Sequence, residues 1–135
     1  TATPHGTILC FDNGNYRATP FDDKLPPEDN RSRLVEFAVD AAAGTVEQVW
    51  DWDGGEDSIY ACYQGGAFRL PETGNTLMTY GGIVTVDGVP GDIAETGFCQ
   101  SRIVEVTPSG EVVLGHTYSS WAASSYQNSP CRFSI

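Results

Sequence analysis

An all-β fold with little helix is what this sequence predicts, and three observations carry the prediction. Apolar residues alternate with polar ones or come in short bursts, the pattern of pleated strands. Fifteen glycines and eight prolines fall in small clusters that punctuate those bursts as turns. No stretch keeps apolar residues at the i, i+3, i+4, i+7 spacing of an amphipathic helix.

The elements follow in order. Gly6 to Phe11 (GTILCF) is an apolar strand that stops at the turn signal Asp12-Asn13-Gly14. Phe21 to Asn30 (FDDKLPPEDN) is polar with adjacent prolines and reads as a loop. Arg33 to Asp40 and Thr45 to Trp52 alternate as strands around the small-residue turn Ala41 to Gly44. Asp53 to Asp57 is a turn, Tyr60 to Leu70 holds a strand, and Pro71 to Gly74 turns the chain again. Thr76 to Tyr80 is a strand predicted to end at Gly81-Gly82, because glycine weakens strand interiors. Ile103 to Thr107, the turn Pro108 to Gly110, and Glu111 to Leu114 complete a strand-turn-strand unit.

At 135 residues the chain reads as a single domain against a prior of roughly 150 residues per domain. Seven basic against eighteen acidic residues leave a net charge of −11, which disfavours nucleic acid and anionic membranes as partners. No apolar run reaches the length of a membrane span and no signal peptide opens the chain, so export requires a leader already removed. Cys10, Cys62, Cys99 and Cys131 stand 52, 37 and 32 residues apart, without the close pairs of a zinc or haem site. Their even number allows two disulfides in any of three connectivities. With one lysine and many Thr, Ser and Gly, this fits an extracellular or periplasmic protein, where such bridges persist.

The two halves of the chain match each other. Ser32 to Phe37 (SRLVEF) matches Ser101 to Val106 (SRIVEV) 69 positions later, and Gly6 to Leu9 (GTIL) matches Gly74 to Leu77 (GNTL) 68 positions later. Gly44 to Val49 likewise resembles Gly110 to Val113. Tandem antiparallel units that cannot cover their own faces predict two propeller-like blades, at about residues 1–58 and 59–126. Two blades cannot close a ring of about four to eight. The chain is therefore expected to form a homo-oligomer or to belong to a larger propeller, with apolar positions such as Ile8, Leu9, Val35, Phe37, Val104 and Val106 needing opposing surfaces.

Five segments resemble the bacterial arylsulfotransferases: GTILCFDNGNYR (6–17), SRLVEF (32–37), GTVEQVWDW (44–52), RLPETGNTLMTYGG (69–82) and SRIVEVTPSGEVV (101–113). The resemblance covers about residues 5–126, and the tail QNSPCRFSI departs from it. It implies a six-bladed β-propeller that moves a sulfuryl group from a phenolic ester to another phenol without a nucleotide donor. Aryl sulfates and phenols are then the small-molecule partners, and no cofactor is implied. The resemblance also implies a histidine nucleophile in a central channel, further histidines, and an arginine on the sulfate oxygens. Arg17, closing the Asp12-Asn13-Gly14-Asn15-Tyr16-Arg17 segment, stands where that arginine is expected. Its planar fork suits an oxyanion, although a loop arginine paired with Asp22 or Asp23 is the plainer expectation. The family's Gln-His segment would precede the first strand and lies outside this sequence. The nucleophile is expected between about residues 58 and 70, where SIYACYQGGAFRL holds no histidine. The catalytic set is thus incomplete here, and a non-catalytic extracellular β module that self-assembles into a ring or filament is the alternative.

The remaining candidates read more plainly. His5 and His116 are the two histidines, each expected in a loop or on the surface without a partner base. Asp51, Asp53, Glu56 and Asp57 cluster, but without the DxDxDG spacing of a calcium loop, so a solvated acidic turn is expected and no metal. Tyr16, Trp50, Trp52, Tyr60, Tyr63, Tyr80, Tyr118, Trp121 and Tyr126 could stack on a phenolic or sugar ring, but strand aromatics such as Trp50 read as packing between blades.

Overall fold

A computed structural model describes residues 1–15, 23–92 and 97–120. The described chain is all-β, in two blade-like antiparallel sheets. The first holds β1 (Ile8–Asp12), β2 (Arg33–Asp40) and β3 (Thr45–Trp52) in that order. The second runs β4 (Tyr63–Arg69), β5 (Thr76–Val86), β7 (Phe98–Val106), β8 (Val112–Ser120), with the two-residue β6 (Val89–Pro90) paired to the end of β5. Single 3-10 turns at Pro27–Asp29 and Gly55–Asp57 are the helical elements among the described residues.

The sheets are paired in matching register. Ile8 faces Phe37, Leu9 faces Glu36 and Cys10 faces Val35 in the first sheet. Thr76 faces Val106, Leu77 faces Glu105 and Met78 faces Val104 in the second. A bulge interrupts β2–β3 between Glu36 and Phe37, and another interrupts β7–β8 between Glu105 and Val106. Strand β4 has a counterpart only in the two residues Thr1 and Ala2. The backbone of Thr1 exchanges hydrogen bonds with Leu9, and Ala2 bridges Ile8.

Three boundaries depart from the sequence reading. Strand β7 begins at Phe98 rather than Ile103, and β8 continues to Ser120 rather than stopping at Leu114. The strand expected to end at Gly81-Gly82 continues through them to Val86, with a register shift against β7 between Tyr80 and Ile83. A Cβ on Gly82 would lie 2.5 Å from the Tyr63 ring, and one on Gly81 would lie 2.4 Å from Gln64 Cβ. These glycines therefore mark a close approach of β4 rather than a strand end.

The core lies between the sheets. Cross-strand partners share a face, so Leu9, Phe11, Leu34, Glu36, Trp50 and Trp52 form one face of the first sheet, here called its front. That front packs on the back of the second sheet, where Met78, Tyr80, Val104 and Val106 are buried. Phe11 meets Tyr80 edge-on at 5.8 Å between ring centroids. The indoles of Trp50 and Trp52 donate to the carbonyls of Pro108 (3.2 Å) and Gly110 (3.1 Å) in the β7–β8 turn. Of the apolar positions expected to need outside cover, Leu9, Val35, Val104 and Val106 are already buried within the chain. Ile8 is open to solvent and Phe37 half-buried. A second small cluster joins Tyr60, Cys62 and Val84.

Candidate functional site

At one end of β4 the polar segment Asp12 to Asn15 is fastened on several sides. Its turn begins with Gly14 N donating to Asp12 Oδ1 at 2.9 Å, and Gly14 takes φ +91°, where glycine bears no Cβ penalty. Asn13 Nδ2 donates to the carbonyls of Ala61 (2.7 Å) and Gln64 (3.0 Å), and Asn15 Nδ2 to that of Cys62 (2.8 Å). Tyr60 OH donates to Asn15 Oδ1 at 2.8 Å. From the other side, buried Ser32 donates to Asn13 O and Asn30 to Gly14 O, each at 2.9 Å. Arg33 binds Asp12 through Nε at 3.0 Å. The segment is thus held to both sheets, and its amide side chains are engaged by carbonyls rather than open to a ligand. Arg17, the expected sulfate contact, lies outside the described residues, as do Tyr16, Trp121, Tyr126 and Cys131.

At the opposite end of β4 a groove of about 420 Å³ opens between the sheets, lined by His5, Glu36, Trp50, Arg69, Leu70 and Pro108 among others. Its floor is a buried ion pair between Arg69 and Glu36, with side chains 12% and 10% exposed. Glu36 also accepts from Thr7 Oγ1, while Arg69 NH1 donates to Gly74 O at 3.1 Å. The guanidinium lies over the Trp50 ring at 5.2 Å, although its buried Nε has no hydrogen-bond partner among the described residues. Trp50 therefore packs between the sheets and covers a cation. Sequence reading missed the Arg69–Glu36 pair. The available signal was the recurrence of glutamate at Glu36 and Glu105 in the matched segments.

The histidines are not brought together. His5 lines the groove near Glu36 and Arg69, whereas His116 is on exposed β8, with its ring against Tyr118 at 4.6 Å. Residues 58–70 line up along the seam with no histidine among them. In the acidic turn, Asp53 pairs with Arg31 at 2.6 Å, and Asp51 lies 3.8 Å from Arg33. Cys10 and Cys62 are not in a disulfide, so the four cysteines do not form the two bridges that their even number allows. Cys62 is buried under Val84 and Tyr60, where its sulfur contacts Gly82 O. Burial in the core pushes the Tyr80 phenol up to about 12, with Arg102 opposing the shift and Asp53 adding to it.

The described chain is two propeller-like sheets packed front to back, with a polar loop fastened at one end of the seam. The arylsulfotransferase family model matches residues 1–127, and the chain belongs to that family. It is also similar to the arylsulfate sulfotransferase AssT of Escherichia coli O6:H1, 32% identical over 81 residues, which are 58% of this chain and 13% of that relative. The match thus spans a small part of the relative's length. No helix among the described residues is long and apolar enough to cross a membrane.

Proposed function

We propose that this chain contributes two blades, at about residues 1–58 and 59–126, to sulfuryl transfer from an aryl sulfate to a phenol, in the periplasm or outside the cell. In that reaction the S–O bond of the donor ester breaks and a phenolate leaves. The sulfuryl group passes to the acceptor oxygen, whose proton is lost. Arg17 is the proposed contact to the sulfuryl oxygens, whose charge a bidentate guanidinium accommodates in donor and transition state alike. The nucleophilic histidine is not among His5 and His116 and is supplied from outside this sequence.

The observation that supports this reading is the fastening of Asp12 to Asn15 to both sheets, through Asn13, Asn15, Ser32 and Asn30. A loop held this way fixes where the residues after it start, which suits a residue that must meet a small anion with a defined geometry. The test is binding of 4-nitrophenyl sulfate to the full chain. The expected result is saturable binding that Arg17→Ala weakens about tenfold or more, the worth of a charged hydrogen bond, with no nitrophenol released by the chain alone. Binding unchanged in Arg17→Ala overturns the arginine assignment. Turnover by this chain alone overturns the outside origin of the nucleophile.

A further inference from the structure

Among the described residues, two that are not glycine take positive φ. Asp87 (φ +51°) does so in the two-residue Asp87-Gly88 hairpin turn, where aspartate is common. Gln64 (φ +53°) does so inside strand β4, between Tyr63 facing Gly82 and Gly65 facing Tyr80. Its surroundings hold it there. The Gln64 carbonyl accepts from Asn13 Nδ2 at 3.0 Å, and the same amide group donates to Ala61 O at 2.7 Å. Opposite, Gly81 leaves room, since a Cβ on it would lie 2.4 Å from Gln64 Cβ. A glycine at position 64 would adopt this backbone without strain, as its neighbour Gly65 does at φ +147°. The strained strand instead carries a long polar side chain, exposed beside the Asp12 to Asn15 segment. Among the described residues the Gln64 side-chain amide has no hydrogen-bond partner.

We propose that Gln64 is a substrate contact whose side-chain amide donates to a sulfuryl oxygen of an aryl sulfate. The inference rests on the sulfuryl-transfer reading above and adds a residue to it. Strain kept at an exposed polar residue, where glycine would relieve it, points to a use for the side chain. The placement agrees. Asn13, which fixes the Gln64 carbonyl, belongs to the fastened segment, and Asn15 reaches back to Cys62 O at 2.8 Å, so the segment and the strained turn are held as one unit. The chemistry agrees as well. A sulfate monoester presents three terminal oxygens, and a bidentate guanidinium engages two of them. A neutral amide N–H suits the third, because it donates a fixed dipole to the oxyanion and takes no part in proton exchange.

Binding of 4-nitrophenyl sulfate to the full chain, read beside urea unfolding, tests this. Gln64→Gly relieves the backbone and removes the amide. It should unfold at a urea concentration no lower than wild type, yet bind the ester about fivefold more weakly. A merely structural role would move both readings together. Gln64→Asn keeps an amide in a residue that tolerates the left-handed region, and should bind more tightly than Gln64→Gly. Gln64→Glu keeps the size but sets a carboxylate against the anionic ester. It should bind about tenfold more weakly than wild type, and less so at high salt. In NMR, the Gln64 side-chain amide, identified by its absence from the Gln64→Gly spectrum, should shift as the ester is added. Ester binding that Gln64→Gly and Gln64→Glu leave unchanged, or amide resonances that stay in place while the ester binds, overturns the contact and leaves the sulfuryl-transfer reading standing. A wild type that does not bind the ester overturns both. A Gln64→Gly variant that unfolds at clearly lower urea than wild type overturns the argument from strain, and the proposal with it.

Discussion

Removing Arg69 isolates a buried carboxylate, and the structure gives the size of the effect. Glu36 is 7% exposed as a residue and keeps only the Thr7 hydroxyl as a described partner once the guanidinium is gone. Two unit charges about 4 Å apart at an effective dielectric near 20 attract by about 4 kcal/mol. The Trp50 contact at 5.2 Å adds about 0.5–2 kcal/mol. Breaking one side of such a pair costs about 3–5 kcal/mol, because an uncompensated charge stays buried. Arg69→Met should therefore lower the unfolding free energy by about 3–5 kcal/mol in urea denaturation, with the slope unchanged. Arg69→Met combined with Glu36→Met removes both charges and fills the space, so the double variant should return to within about 1–2 kcal/mol of wild type. Lys24, paired with Asp92 at a site where the lysine is 51% exposed, provides the contrast: Lys24→Met should cost no more than about 1 kcal/mol. If Arg69→Met costs as little as Lys24→Met, or the double variant is less stable than the single, the pair does not hold the seam as argued.

Two further outcomes follow from the core. Tyr80 is held neutral up to about 12 in the fold against about 10 unfolded. Above pH 10 the unfolded chain releases a proton that the fold retains, so stability is full below pH 10 and falls by about 2–3 kcal/mol toward pH 12. Urea midpoints across that window should show the fall in wild type and a shallower one in Tyr80→Phe. Gly65 takes φ +147°, and a Cβ there would lie 2.3 Å from the Phe11 ring. Gly65→Ala should cost about 2–4 kcal/mol from strain and the displacement of Phe11. Gly44→Ala, with φ +69° but open space around it, should cost about 1–2 kcal/mol; equal midpoints for the two variants would refute the Phe11 contact.

Alternation in Arg33 to Asp40 and Thr45 to Trp52 was enough to place two strands within a residue of their ends, because side chains of a pleated strand alternate between its two faces. The likeness of SRLVEF to SRIVEV placed Glu36 and Glu105 at equivalent positions before any pairing was known. Membership in the arylsulfotransferase family was legible in the DNG and LP-x-TGN segments for the same reason: their turns demand particular residues. Gly81-Gly82 misled, since a glycine pair that ends one strand is, in another, the gap into which Tyr63 and Gln64 fit. The sequence also left open which cysteines are bridged, and the fold keeps Cys10 and Cys62 out of any disulfide. Alternation says which side chains share a face, but both faces of both sheets are apolar enough to be buried. Only the packing of one sheet on the other decided that Glu36 would find Arg69 and lie buried, while Glu105, its match in sequence and register, would face outward.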